Sequence, residues 1–212
     1  MKYDLHIHTH NSACSILKPK TILKIAKRIG LNGIAITDHN TIKGGLEVYK
    51  INKDKDFEVI PGIEVNTNRG HVLGLYINKE ISSKEFFDVI DEIKKQGGIA
   101  VIAHPFRLIP HLRSNLKGIK PKEYLDAVEC YNARTSYFGN RSAMKFAEKF
   151  NLSKTAGSDA HFFFEIGRGI TLFDGDFTNA VRKRKTKVQG SNITGLLGSI
   201  LSGLNKNLIR RW

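Results

Sequence analysis

Apolar and polar positions along this chain follow two periods, two and 3.6, and the switches between them mark out its elements. Near the start, "YDLHIHT" alternates residue by residue and reads as a strand. In "KPKTILKIAKRIG", Ile22, Leu23, Ile25, Ala26 and Ile29 share a helical face, and Gly30 suits the C-terminal cap. "GIAITDH" is a short buried strand, and "FEVIPGIEVNT" and "GHVLGLYI" are both β-like. "SSKEFFDVIDEIKKQGG" reads as a helix with Ser82 or Ser83 as its cap, acids early, lysines late and Gly97 at its end. The strand "IAVIAHP" and an irregular basic stretch come next. The strand "AVECYN", the helix "RSAMKFAEKFN", the strand "KTAGSDAH" and the β-like "GRGITLF" complete the series.

Strand and helix alternate, which predicts a parallel α/β architecture. The residues able to do chemistry fall at the C-terminal ends of the strands: His6 and His8, Asp38 and His39, Glu64, His104, and Asp159 with His161. That end carries the site both in an α/β barrel and in an open doubly wound sheet. No GxGxxG or GxxxxGK[ST] signature is present, so nucleotide binding through those loops has no support. The chain divides into a main domain over residues 1–187 and a tail over 188–212. In the tail, Ile193, Leu196, Leu197, Ile200, Leu201, Leu204 and Leu208 recur at helical spacing. The tail is expected to pack on the main domain. A membrane surface, a partner subunit or nucleic acid are the alternatives for a basic amphipathic segment.

Composition narrows the picture modestly. The 212 residues suffice for one domain with a sizeable core. A net charge of +14, from 34 basic and 20 acidic residues, favours anionic partners such as phosphate esters or nucleic acid. A solvated Lys-rich surface accounts for it equally well. The two cysteines, Cys14 and Cys130, form no CxxC pair, which argues for a reducing compartment. "MKYDLHIHTH" lacks the apolar core of a secretory signal, and no run approaches the roughly 18 apolar residues of a membrane span. The expectation is a soluble, cytoplasmic chain.

The histidines change the picture more. Two residues apart on a strand, His6 and His8 put both rings on one face. Adjacent buried imidazoles resist joint protonation, and a divalent metal resolves this by taking neutral imidazole as ligand. Asp159 and His161 repeat the arrangement at the end of another strand. Between them, His39, Glu64, His71 and His104 each lie in or after an apolar run. Any one of these in a core is accounted for by hydrogen bonds. For all of them together a shared metal centre is simpler. Mixed N/O donors suit Mn, Zn or Fe better than Mg or Ca.

The set "DLHIHTH", "AITDHNT", "GIEVNT", "GHVLGL", "IAHPF" and "GSDAH", in this order, resembles the PHP (polymerase and histidinol phosphatase) family over roughly residues 2 to 175. The resemblance implies a distorted (β/α)7 TIM-like barrel that hydrolyses phosphoesters with two or three divalent metal ions. It implies that His6, His8 and Asp159 hold one ion. Glu64 would bridge it to a second, held also by His71 and His104, and His39 and His161 would hold a third. The family segment HxHTxxSDG reads "HIHTHNSACS" here, so Ala13 and Cys14 stand where a carboxylate is expected. Cys14 is either a thiolate substitute, which would favour Zn or Fe, or a small buried apolar residue. His10 is expected to face substrate or support the ligands.

The activity so implied is hydrolysis of a small phosphorylated metabolite or nucleotide by a metal-activated water. Glu64 sets the ion spacing, and His39 or His161 protonates the leaving oxygen where the third ion is absent. Arg107, Arg134 and Arg168 are candidates to grip phosphate, with Asn132 beside them. Asp38 is expected to orient a ligand, and Glu129 to be structural. The alternatives are a nuclease on single-stranded nucleic acid, supported by the basic stretch Arg182–Lys187, and a non-catalytic metal-binding or nucleic-acid-binding scaffold.

Overall fold

A computed structural model describes residues 1–108, 113–191 and 201–202. In chain order the elements are β1 (Lys2–Ile7), α1 (Pro19–Arg28), β2 (Gly33–Ile36), α2 (Lys43–Ile51), β3 (Glu58–Thr67), β4 (Gly70–Leu75), α3 (Phe86–Lys95) and β5 (Ile99–Ile102). They continue with α4 (Pro121–Tyr124), β6 (Ala127–Asn132), α5 (Tyr137–Lys149), β7 (Ser153–Gly157), β8 (Gly169–Leu172), α6 (Phe177–Arg182) and β9 (Lys187–Gly190).

The strands form one sheet in the order β7-β6-β5-β4-β3-β2-β1-β8-β9. Strands β1, β2 and β3 are mutually parallel, as are β5, β6 and β7, while β4 runs antiparallel to both its neighbours. Beyond β7 a parallel bridge joins Ile7 to Ala160. There His8 N donates to the Ala160 carbonyl at 3.0 Å and Ala160 N donates to the His6 carbonyl at 3.3 Å. The sheet therefore curls into a nearly closed, distorted TIM-like barrel. The distortion has a local cause: a tight hairpin, not a helix, joins β3 to β4, so β4 enters the barrel reversed. Strands β8 and β9 extend the sheet from β1 as an antiparallel pair.

Apolar clusters lie on both faces of this sheet. Ile63, Val65, Val72 and Ile102 pack against Phe86, Val89, Ile90 and Ile93 of α3. Leu73, Leu75, Val101 and Ala127 join Tyr3, Leu5, Phe173 and Phe177 in a second cluster. Ile34, Ile36 and Val59 pack against Ile22, Leu23 and Ala26 of α1 and Val48 of α2. Strand β1 does not keep strict alternation. Its register to β2 shifts between Asp4 and Ile7, and Leu5 joins the second cluster whereas Ile7 joins the third.

Several elements depart from what the periodicity suggests. Helix α3 is capped at Glu85 without a side-chain bond, and the Ser83 hydroxyl instead accepts from the Glu85 N–H at 3.1 Å. Helix α5 starts earlier than its apolar pattern, because the Ser136 hydroxyl accepts from Gly139 N and caps it. Helix α2, "KGGLEVYKI", is hidden by its two glycines. A Cβ on Gly44 would lie 2.0 Å from Asp38 Oδ2, so the helix needs glycine to approach that carboxylate. The boundary drawn between domain and tail falls inside a strand: Lys187–Gly190 pair as β9 with β8, so the first tail residues belong to the sheet. Of the rest of the tail, residues 192–200 and 203–212 lie outside the described residues. No helix among the described residues is long and apolar enough to cross a membrane.

The seam that closes the barrel is tight. A Cβ on Gly169 would sit 2.1 Å from the Gly157 carbonyl oxygen. Asp4, fully buried, accepts from the backbone N–H groups of Ser158 at 2.9 Å and Gly167 at 2.8 Å, tying β1 to the chain after β7. Burial pushes the Asp4 carboxyl up to about 6, against the pull of those bonds. A Gly169→Ala substitution is expected to destabilise by about 2 kcal/mol, because backbone must yield, and so to lower Tm by roughly 4–8 °C. Unchanged thermal denaturation would show that the seam has slack.

Candidate metal centre

At the end of the barrel where the parallel strands finish, the chain gathers imidazoles around Glu64. Glu64 lies within β3, fully interior, with 1% exposure. Its Oε1 is 2.6 Å from His71 Nδ1 and 3.0 Å from His104 Nε2. Its Oε2 is 3.3 Å from both His6 Nε2 and His8 Nε2 and 3.0 Å from His39 Nδ1. Each oxygen thus serves its own set of rings, as a bridging carboxylate would. Because β4 is reversed, His71 near its N-terminal end lies at the same rim as the C-terminal ends of the parallel strands. An isolated bridge between His39 and Glu64 continues the β2–β3 ladder and places His39.

Asp159 completes the nest from beyond β7. Its Oδ1 lies 3.4 Å from His8 Nε2, 3.8 Å from His6 Nε2 and 3.6 Å from His161 Nδ1. Four groups of donor atoms converge closely enough to share an ion: His6, His8, Glu64; Glu64, His71, His104; His6, His104, Asp159; and His8, His39, His161. The backbones of His104 (φ 29°) and Asp159 (φ 55°) sit in the left-handed region, which L-residues with side chains adopt at a cost.

An outer layer fixes the rings. Glu129 Oε1 accepts from His6 Nδ1 at 2.9 Å, leaving Nε2 to face the nest. Its other oxygen accepts from His104 N at 2.8 Å and Asn132 Nδ2 at 3.1 Å. Asp38 accepts from the Ser12 hydroxyl at 2.6 Å and from Thr9 N and Oγ1, each at 2.7 Å. Ser12 Oγ in turn lies 3.2 Å from His8 Nδ1 and accepts from His39 N at 3.0 Å. His161 donates from Nδ1 to the Asp159 carbonyl at 2.8 Å, and its Nε2 lies 3.0 Å from Cys14 Sγ.

Charge in the nest is finely opposed. Burial would push Glu64 up, but His39, His71 and His6 outweigh it and hold the carboxyl well below the usual range. Burial is likewise outweighed at Asp159, by His6 and Arg107. His6 is held well above an ordinary imidazole by Glu129, Glu64 and Asp159 despite its burial. At His39 burial is again overcome, by Glu64 first, and the pKa rises to about 10. Burial and His39 press His8 down to about 4, and burial with His8 and Arg134 holds His161 well below its ordinary value. The nest thus offers both carboxylates seeking positive charge and neutral imidazoles with free lone pairs.

These donors fit a divalent cation. Glu64 Oε2 is buried and accepts no hydrogen bond, although three ring nitrogens lie near it; none is aligned to donate. His39 Nδ1 is also buried without a hydrogen-bond partner. A buried carboxylate oxygen left without donors is costly, and a metal ion removes the cost.

Other candidates are placed differently. Arg107 stands at the nest, its Nη1 3.1 Å from Asp159 Oδ2. Arg134 is engaged bidentately with Glu165 at 2.8 and 2.7 Å, its side chain 4% exposed, so its fork is not free for phosphate. Asn132 is buried and spent on Glu129 and Asp159. Arg168 Nε is turned to the Phe164 carbonyl, to which it donates at 3.2 Å. His10 is exposed. Two supporting residues escaped the sequence reading. Ser12 is hinted at only by the serine of the HxHTxxS pattern. Glu165 accepts from His161 N at 2.9 Å and carries no sequence signal.

The fold agrees with that of known proteins. A family model described as PHP domain matches residues 4–108, and one described as PHP-associated matches residues 139–186. An uncharacterized protein of Methanocaldococcus jannaschii is 40% identical over 149 residues, 63% of this chain and 82% of its own length. A 5'-3' exoribonuclease of Haemophilus influenzae is 24% identical, covering 82% of this chain and 96% of that protein. Among solved structures, a two-domain protein of Bacteroides vulgatus containing a predicted PHP-like metal-dependent phosphoesterase superposes with a TM-score of 0.75. It is 19% identical, over 97% of this chain and 69% of that one.

Glu129 supports His6 and His104 without joining any of the four donor groups. A Glu129→Gln variant turns a donor toward the Asn132 and His104 N–H groups and weakens the carboxylate hold on His6. Its metal affinity is expected to fall 10–100-fold with the fold intact, measured by elemental analysis after dialysis and by circular dichroism. Full metal retention would remove Glu129 from the site.

Proposed function

The chain belongs to the PHP family of metal-dependent phosphoesterases, and from that premise we propose that it hydrolyses a small phosphorylated metabolite or nucleotide on two or three ions. The observation that carries this reading is the division of labour at Glu64, one oxygen for His71 and His104 and the other for His6, His8 and His39. His6, His8 and Asp159 would hold one ion and Glu64, His71 and His104 the next, with mixed N/O donors suited to Mn, Zn or Fe. Divalent ions there supply the Lewis acidity that activates a water and offsets charge on the phosphoryl oxygens.

The protein's own groups do the rest. Glu64 spaces the two ligand sets. Glu129, Ser12 and the Asp159 carbonyl fix the rings, so little reorganisation accompanies reaction. Arg107, beside Asp159, is the arginine placed to bind a phosphate oxygen. His161 is committed at both nitrogens, to the Asp159 carbonyl and to Cys14. His39, with 30% of its side chain exposed, lies at the mouth and is the better donor to the leaving oxygen in a two-ion enzyme.

A second reading, cleavage of single-stranded nucleic acid, has a specific observation in its favour. Tyr137, Phe138 and Phe163 are exposed, at 66%, 74% and 60%, on segments that follow site-bearing strands. The Arg134–Glu165 pair clasps those two segments together. Exposed rings offer stacking faces for bases, and the exoribonuclease relative points the same way.

With Mn2+ present, a panel of phosphorylated metabolites and nucleotides should be hydrolysed, and His8→Ala should lose turnover. Wild-type turnover in His8→Ala would overturn the site. Cleavage of single-stranded oligonucleotides alone, with affinity falling steeply as salt rises, would favour the second reading. Arg107→Ala is expected to cost about 10–100-fold in kcat/KM, the worth of one charged hydrogen bond to phosphate. An unchanged kcat/KM would place the phosphate elsewhere.

A further inference from the structure

Cys14 and its neighbour His161 are donors in this nest that the two-ion reading leaves unused. The two cysteines of the chain differ sharply. Cys130 lies in the apolar cluster under α5, its Sγ 3.6 Å from the Ala143 carbonyl, and burial pushes its thiol up to about 12. Cys14 is also buried, but its Sγ is 3.0 Å from His161 Nε2. A cysteine kept only for its apolar volume gains nothing from an imidazole nitrogen at its sulfur.

The orientation of His161 sharpens the point. Its Nδ1 faces the Asp159 carbonyl oxygen, which only accepts, so Nδ1 carries the hydrogen. The neutral ring then presents a lone pair at Nε2, directed at Cys14. His39 closes the group from the other side, its ring centroid 6.2 Å from that of His161. The His8 ring lies 4.3 Å from His161 and 4.5 Å from His39. The loop bearing Cys14 is stitched on both sides. The Ser15 hydroxyl is within 3.0 Å of the His8 carbonyl and 3.1 Å of the His161 carbonyl, and Ile16 N donates to the His161 carbonyl at 3.3 Å. The sulfur is therefore positioned by backbone contacts independent of any ligand. The neighbouring Ala13 is exposed, and its methyl side chain carries no ligand atom.

We propose that Cys14 is a thiolate ligand of a third divalent ion shared with His39 and His161. This donor set selects zinc, iron or cobalt over manganese and magnesium at that position. Soft sulfur with neutral imidazole disfavours the hard ions that a carboxylate would accept. The proposal rests on the metal-dependent reading of the centre but adds a third site of different softness. With that ion bound, His39 is a ligand rather than a proton donor.

Cobalt(II) titration of the metal-free protein tests it without reference to turnover. A thiolate-to-cobalt charge-transfer band in the near ultraviolet is expected during the titration. It should vanish in Cys14→Ser and Cys14→Asp and persist in Cys130→Ser. Elemental analysis after equilibration with equal zinc and manganese should show Cys14→Asp shifting occupancy toward manganese by at least about tenfold, the effect of exchanging sulfur for oxygen. Cobalt d–d bands with no charge-transfer band in the wild type, or a band that survives in Cys14→Ser, would overturn the thiolate site. Phosphoester hydrolysis by the wild type with manganese would then still stand. Failure to bind any divalent ion would instead remove both.

Discussion

Everything at the rim of this barrel answers to one buried negative charge. Glu64 is sealed from water at 1% exposure, where an unpaired carboxylate costs several kcal/mol. Five imidazoles among the described residues surround its two oxygens within 3.3 Å. They cannot all be protonated, because each new charge penalises the next; His8 is pressed down to about 4 partly by His39 and His6. The charge is balanced by some rings holding protons and others holding lone pairs. A divalent ion satisfies both demands, replacing the protons and using the lone pairs. The family of the chain and its local electrostatics lead to the same conclusion by separate routes.

Holding so many rings in place takes a second layer of polar groups, and much of this chain's buried polarity is spent there. Glu129 fixes His6, Asp38 acts through Ser12 on His8 and His39, and Glu165 anchors His161. Helix α2 draws close to Asp38 at Gly44, where no side chain fits. Left-handed backbone at His104 and Asp159 is stored strain of a kind that persists only where surrounding contacts overdetermine it. Stability and site are therefore coupled: the bonds that orient the ligands are also buried bonds of the fold.

The sequence made parts of this plain and left others hidden, for identifiable reasons. His6 with His8 and Asp159 with His161 were legible because two-residue spacing at a strand end needs no tertiary knowledge. The alternation that made them legible is broken nearby, between Asp4 and Ile7, and no local pattern announces that shift. His71 stood out as a histidine in an apolar run but not as a strand-end residue, since its place at the rim depends on β4 running backwards. Arg134 read as a phosphate binder because its partner Glu165 is 31 residues away. Helix α2 was masked by glycines that lower helix propensity but are needed for its approach to Asp38. Helices α4 and α6, four and six residues long, are too short to show a period. Strand β9 looked like part of a basic tail because its lysine and polar residues face outward on an antiparallel edge.

The location of the barrel seam ties these threads together. A seven-stranded barrel with one reversed strand must still close between its first and last strands. Here closure falls beside the ligands, through the Ile7–Ala160 bridge between His6, His8 and Asp159, His161. The two motifs most legible in the sequence are thus the two sides of one junction. His6 and His8 approach Asp159 and His161 only if β1 and the chain after β7 meet. That meeting rests on the buried Asp4 and on glycines that admit backbone against backbone. Occupancy by an ion would in turn bridge the seam from above, since His6 and His8 on one side and Asp159 on the other converge there. Binding would then stabilise the closed barrel by mass action, in proportion to the logarithm of free ion over Kd. On this geometry ion binding would be linked to barrel closure, each favouring the other across the same strand ends.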